Sequence, residues 1–547
     1  MTYNIGSDIS KKLGLGRRVG AAARGIRGRR LGWVGITFML AMILFSGKTL
    51  YYGLEGTNRT RLKSGGATWV ASRADIVDRN GTVLAKSVMS GHINLISARV
   101  GDRDAVAGFI HEIMPEYDVS EILAQIDSKK FKELRHFAND DLLRRVANAG
   151  LAGLEVAPIE RRKYPKHREF SHILGFVGKD GVGLDGAEKI KDRYLTENTD
   201  PLVLSLDSRI QGIMYQELSV ARQKYSAIAA MGILMKSGTG EIIAMVSLPD
   251  YEPEDLSIDP PENRVMRTMR NLYEMGSVFK VFNTAMALEN GLGLDKKYFI
   301  AKPYKVLDKF GRTAATISDV ASFKPPSPYL NVAQIMLHSC NVGSAQIALD
   351  LPNDAQMEFF NRIHMGGPLD LEFGRSERTL MHKRWGPTEI ATASFGHGVS
   401  VTPMHVVLGV NAMTNGGYFV MPTIFKKTND AEISGQRVVS AEISDTLRKI
   451  MYRITTDTTG KLARVNGINI GGKTATAEKR LNGKTDRSRN ITSFTGIFPI
   501  ENPRYIMMIL LDEPKGIQEN WYLRTAAWNA APTAQKIMES AMPLLFE

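Results

Sequence analysis

The chain has 547 residues, of which 43% are hydrophobic and 23% charged. That composition excludes a disordered or fibrous protein and leaves room for two or three folded domains. The single cysteine, Cys340, excludes an intrachain disulfide framework and any cysteine-rich zinc site, and it fits an oxidising compartment, where free thiols are a liability. Of the net charge of +13, the first 30 residues supply +7, from eight Lys/Arg against Asp8. The basic character is therefore largely that of a tail.

Directly after the tail, "LGWVGITFMLAMILFSG" runs from Leu31 to Gly47 without a charge. Seventeen residues is the short end for a spanning helix. Lys48 can snorkel, and Trp33, Tyr51 and Tyr52 suit the interfaces. The arginine-rich flank predicts a cytoplasmic N-terminus, with everything after about residue 54 on the far side. No small-residue cleavage pattern follows, so the segment reads as an uncleaved anchor over residues 31–53 rather than a signal peptide. Anionic lipid headgroups suit the basic tail better than nucleic acid does.

Residues 54–200 mix short strands with charged helices. "ADIVDRNGTVLAKSV" predicts a hairpin turning at Asn80-Gly81. "VSEILAQIDSKKFKELRHFANDDLLRRVANAG" has apolar spacings of three and four and predicts consecutive helices. "GKDGVGLDGAE" is a glycine-dense loop. From residue 201 the texture changes. "PLVLSLDSRIQGIMYQELSVARQKY" predicts a strand and a long helix, and "AIAAMGILMKSGTGEIIAMVSLP" an apolar hairpin. After a helical middle come three strands in "GGKTATAEK", "ITSFTGIFPI" and "RYIMMILLDEP". With the hairpin they can form one five-stranded antiparallel sheet with helices on both faces, an α+β fold.

Three short stretches can carry chemistry. In "YEMGSVFKVFN", Ser277 opens a helix, and Lys280 shares its face at i+3. The positive field of the helix N-terminus favours an oxyanion at Ser277. A lysine in a poorly solvated pocket loses basicity towards the working pH and can accept a proton. The plain alternative is a capping serine beside a surface lysine. In "HSCNVGSAQIAL", Ser339 and Asn341 can line a cleft wall or merely cap a helix. A second Ser-x-Asn, Ser488 to Asn490 in "RSRN", reads as a solvated loop. In "GGKTATAEK", Lys473, Thr474 and Thr476 on a strand edge suit a substrate carboxylate and an oxyanion, or are an ordinary exposed strand. Each stretch alone is weak. Together, in this order and 62 and 134 residues apart, they match the three motifs of serine enzymes that react with penicillin.

On these motifs the chain resembles the class B penicillin-binding proteins, the monofunctional peptidoglycan D,D-transpeptidases, and more narrowly their cell-division (septum) type. "RADIVDRNGTVLA", "RRKYP", "GKDGVGLDGAE", "FGHGVSVTPMH" and the closing strands are similar to further segments of that family. The resemblance implies a penicillin-binding transpeptidase fold over 201–547 on a pedestal, or dimerisation-type, domain over 54–200. It implies Ser277 as nucleophile, Lys280 as its base, and the Ser277 and Thr476 amides as the oxyanion hole. Ser339, assisted by Lys473, delivers a proton to the leaving D-alanine. Asn341 orients the acyl group, while Thr474 and Thr476 hold the carboxylate. The implied partners are donor and acceptor stem peptides, β-lactams, the lipid bilayer, a membrane glycan polymerase and other division proteins. No metal or cofactor is implied. The expected location is the inner membrane, with the catalytic domain periplasmic at the septum. An elongation-type transpeptidase, a D,D-carboxypeptidase and a non-catalytic scaffold remain alternatives on sequence. Ala475, Met275, Ala74 and His397 stand where the family usually has Gly, Pro, Gly and Gln. Ala475 could narrow the cleft or face the helix behind it. His397 reads as a structural loop residue, and Cys340 as buried packing.

Overall fold

The structure is a computed structural model that describes residues 73–321, 323–428, 435–481 and 484–547, together with Met42. The basic tail and nearly all of the anchor segment lie outside the described residues. Among the described residues, no helix is long and apolar enough to cross a membrane.

The described stretch from residue 73 opens with the hairpin expected at Asn80-Gly81. Strand β1 (Ile76–Val77) turns into the 14-residue β2 (Val83–Ile96). Asp78 shapes the turn by accepting from the amides of Asn80 and Thr82, both at 2.8 Å. Its other oxygen accepts from the amide of Ser208 at 3.0 Å. Helices α1 (Arg103–Ile113) and α2 (Val119–Asp127) follow, then β3 (Phe131–Ala138), α3 (Asp140–Ala149) and β4 (Leu154–Lys163). β3 and β4 both pair with β2, and Ile93, Leu95, Ile110, Ile122 and Leu134 bury a core between sheet and helices.

β3 overturns the expected run of consecutive helices over 119–150. Its buried residues are Leu134 and Ala138, four apart, which imitates helical spacing. Residues four apart share a face in a strand as well as in a helix, so this spacing does not separate the two.

Three separated segments meet behind this sheet. Glu188, in the short helix Gly186–Ile190, is fully buried and bridges Arg73 (Nε to Oε2, 2.6 Å) and Arg162 (Nε to Oε1, 2.7 Å). Asp192 takes a second bond from Arg73 at 2.7 Å. These are the arginines and the glutamate of "RADIVDRNG", "RRKYP" and "GLDGAE". Strand β5 (Leu202–Val203) joins the same sheet parallel to β1, and α4 (Ser208–Lys224) leads away from it.

The second sheet is built as the sequence suggests. β6 (Ala229–Lys236) and β7 (Ile242–Leu248) form one hairpin. Helices α5 (Phe279–Glu289), α6 (Val332–His338), α7 (Asn341–Leu349), α8 (Pro403–Thr414) and α9 (Ala441–Asp457) intervene. Strands β8 (Gly471–Leu481), β9 (Lys484–Phe498) and β10 (Tyr505–Asp512) close it. The order is β8-β9-β10-β6-β7, antiparallel throughout. Alternate residues of the central strands feed two cores. Met231, Ile233, Ile506 and Met508 pack towards α5, α8 and α9. Leu234, Met507 and Ile509 pack against α4 and α10 (Ala530–Leu545). "RSRN" lies within β9, so the second Ser-x-Asn sits on a strand rather than in a loop.

Removing one partner of a buried ion cluster leaves the other charges unpaired and costs about 3–5 kcal/mol. Glu188→Ala, which strands two buried guanidinium groups, is expected to destabilise the chain by that amount in equilibrium denaturation. Glu155→Ala, whose partner Arg99 is exposed, is expected to change stability by less than about 1 kcal/mol.

Candidate active site

β8 is an edge strand, so its outer backbone groups are free of sheet pairing. Facing that edge is the turn Gly276–Val278, which runs directly into α5. Gly276 adopts φ +55°, and a Cβ there would come within 3.0 Å of the Thr476 carbonyl oxygen. Both the backbone sign and the close approach require glycine. Its amide donates to the Gly396 carbonyl at 3.3 Å. Gly396 is itself at φ +81°, where a Cβ would fall 2.2 Å from the Gly276 oxygen. This accounts for "FGHGVSVTPMH": its Val399–Val401 strand pairs with Tyr273–Glu274, and its Gly396 lets the serine turn sit close.

Ser277 is partly exposed and Lys280 is buried. Lys280 Nζ lies 2.7 Å from Ser277 Oγ, 2.7 Å from Asn341 Oδ1 and 3.4 Å from Ser339 Oγ. Ser339 caps α6 in the left-handed region at φ +60°, a strained conformation for a serine. Its hydroxyl also meets Lys473 Nζ at 3.0 Å. Lys473 reaches in from β8 and donates to its neighbour's carbonyl, that of Thr474, at 2.9 Å. Five of the residues singled out in the sequence thus share one hydrogen-bonded cluster.

Burial drives the Lys280 ammonium down to about 8, with the charge of Asp319 opposing. Burial, and secondly the charge on Lys280, push Lys473 well below the usual lysine range. The oxygens around the two amines are hydroxyl, amide and peptide oxygens, which solvate an ammonium less well than water does.

The threonines sit at the rim. Thr474 Oγ1 is 2.7 Å from Thr459 Oγ1, and Thr476 Oγ1 accepts from the Ala526 amide at 3.0 Å. Ala475 is 3% exposed and belongs to the core on the helical side. Its methyl faces the helices behind the strand rather than the open cleft. His397 is held low by burial, with Glu274 opposing, and its Nδ1 lies 3.4 Å from the Phe395 oxygen. The Cys340 thiol is pushed up to about 12, by burial and then Asp319. It stays protonated and unreactive. Its sulfur accepts from the Gly343 amide at 3.2 Å and so caps α7.

Two contributors carried no sequence signal of their own. Asp319 accepts from the Asn341 amide and sits 3.2 Å from Cys340 Sγ. It fixes the start of α7, and its charge raises the Lys280 pKa against the effect of burial. Thr459 lies in the run of threonines after α9, and only proximity in the fold links it to Thr474. The other Ser-x-Asn stays apart: Ser488 is exposed and its Oγ bonds Asp486 Oδ1 at 2.6 Å.

Residues 230–539 match the penicillin-binding protein transpeptidase domain, and residues 68–201 match the penicillin-binding protein dimerisation domain. The chain is 31% identical over 492 residues to a probable peptidoglycan D,D-transpeptidase FtsI of Caulobacter vibrioides, covering 87% of this chain and 81% of that one. It is 28% identical over 481 residues to the peptidoglycan D,D-transpeptidase FtsI of Escherichia coli K12, covering 81% and 79%. The fold is that of penicillin binding protein 2X from Streptococcus thermophilus, with a TM-score of 0.68 and 21% identity over 87% of this chain and 79% of that one. With the transpeptidase model spanning more than half of its length, the chain belongs to the penicillin-binding protein transpeptidase family.

Proposed function

We propose that the chain cross-links peptidoglycan stem peptides at the division septum through an acyl-enzyme on Ser277. Membership of the transpeptidase family and relatives named as peptidoglycan D,D-transpeptidases carry the reaction class; the FtsI names support the septal role. One observation carries the residue roles: a buried lysine amine within 2.7 Å of the hydroxyl it would deprotonate.

A neutral amine has two hydrogens and one lone pair. Asn341 Oδ1 and Ser339 Oγ accept the hydrogens, which leaves the lone pair for the Ser277 hydroxyl. Ser277 attacks the carbonyl between the two terminal D-alanines of a donor, and Lys280 takes its proton. The Ser277 and Thr476 amides hold the oxyanion where β8 comes close to the serine turn. Ser339 touches both amines and passes a proton to the leaving D-alanine, supported by Lys473. Asn341 orients the acyl group, and Thr474 and Thr476 hold the terminal carboxylate. An acceptor stem-peptide amine then resolves the ester. A β-lactam enters as a donor mimic and stops at the acyl stage.

The proposal includes a membrane anchor over 31–53, a pedestal over 54–200 and a transpeptidase domain over 201–547. It also includes a glycan polymerase among the division partners, because the pedestal lacks the size of a second catalytic domain. The assembled lysine–serine cluster and the inward methyl of Ala475 argue against a scaffold without activity.

Fluorescent penicillin is expected to label the wild type and Ser488→Ala, but neither Ser277→Ala nor Lys280→Ala. Label on Ser277→Ala would refute the assignment of the nucleophile. The acylation rate is expected to rise about tenfold per pH unit below the Lys280 pKa of about 8 and to level off above it. The sign follows from burial, which favours the neutral amine, the only form able to take the proton. A flat profile between pH 6 and 9 would exclude Lys280 as the base. Ala475→Gly is expected to leave acylation within about tenfold, or 1.4 kcal/mol, because the methyl does not enter the cleft. A larger gain would show that it does.

A further inference from the structure

β3 does not pair evenly with β2. Ile93 lies opposite Arg135 and Gly91 opposite Ala138, so His92 faces both His136 and Phe137. Two residues against one is a β-bulge, a device that re-aims side chains. Phe137 takes up the strain at φ +51°, an outlier for an aromatic residue. The bulge sets His136 beside His92, ring centroids 5.9 Å apart. Glu133 lies between them, 3.3 Å from His92 Nδ1 and 3.1 Å from His136 Nδ1. His136 Nε2 is buried without a hydrogen-bond partner among the described residues, and the contact from Glu133 is the one that His92 Nδ1 has there. A buried polar atom left unsatisfied costs about 1–3 kcal/mol, so a strained strand that leaves His136 Nε2 orphaned beside a second imidazole and a carboxylate calls for a ligand.

We propose that His92, Glu133 and His136 bind a zinc-class divalent cation that clips β3 to β2. One donor atom from each residue lies within 4.8 Å of the other two. Around a tetrahedral zinc with ligands at about 2.0–2.2 Å, donors stand roughly 3.4 Å apart, a distance that small side-chain rotations reach. Two imidazoles and one carboxylate suit zinc; calcium and magnesium take oxygen ligands. Three protein donors leave a fourth position for water. Neither strand carries a residue of the serine site, so the ion acts on the fold. β3 is an edge strand held on one side only, and a metal clip stabilises the folded form by mass action.

The full chain, without a histidine tag and stripped by chelator, is titrated with Zn²⁺ against a chromophoric competitor. The expected result is one tight zinc per chain, a visible d–d band when Co²⁺ replaces it, and a zinc-dependent rise in Tm. H92A, E133Q and H136A should each weaken binding by more than the roughly 10–100-fold that loss of an outer-shell partner costs. H338A, which alters a histidine outside this sheet, should bind as the wild type does. Absence of tight zinc, or affinity unchanged in the three variants, overturns the proposal. If either alanine variant loses the wild-type circular dichroism spectrum, E133Q, which keeps the side-chain volume, decides.

Discussion

The catalytic half of this molecule depends on taking one lysine amine out of water. Lys280 is buried, and three oxygens, one from its own turn and two from the Ser339–Asn341 segment, replace its hydration shell. A charged ammonium would lose solvation there, so the site favours the neutral amine. The constraint reaches outward. α6 must end in a left-handed serine to turn Ser339 inward, and Asp319 must hold the start of α7 so that Asn341 faces the amine. Gly276 and Gly396 must lack side chains so that the serine turn can approach β8.

The N-terminal half is organised by a different burial. Glu188 brings two arginines from segments 89 residues apart into one dry cluster. Such a cluster adds little net stability over an apolar core, yet it penalises any arrangement that leaves a charge alone. Asp78 extends the same logic towards the second sheet, because one carboxylate caps both the β1–β2 turn and the first amide of α4. The hairpin turn and the start of α4 are therefore fixed together.

Much of this was legible in the sequence because its patterns are local. The second sheet could be read from unbroken apolar runs, and the Asn80-Gly81 turn from a dipeptide with one strong preference. The three candidate stretches were recognisable only as an ordered set, since Ser277, Ser339 and Lys473 meet through the fold. β3 was misread because its buried Leu134 and Ala138 stand four apart, a spacing that strand and helix share, while a bulge interrupts its pairing. The same bulge hid His92, Glu133 and His136, whose spacing matches no metal-ligand pattern along the chain. Asp319 and Thr459 were invisible for a related reason. Each acts through one contact made across space, and nothing in the surrounding residues marks it. The inward direction of the Ala475 methyl was equally out of reach, because it depends on which face of an edge strand meets the helices.

Two lysines in one dry cleft raise a question of charge. Lys280 and Lys473 share Ser339 as a neighbour, and each ammonium disfavours the other. Without a ligand, Lys473 gives up its proton more readily than a lysine in water. In the proposed reaction the donor carboxylate lands beside Thr474 and Thr476, close to Lys473. An anion there reverses the balance and favours the ammonium, which then grips the carboxylate. Substrate binding and proton uptake by Lys473 are thus coupled, while Lys280 stays neutral as the base. The site distinguishes its two lysines by what each faces: one an attacking hydroxyl, the other the place where a negative charge arrives.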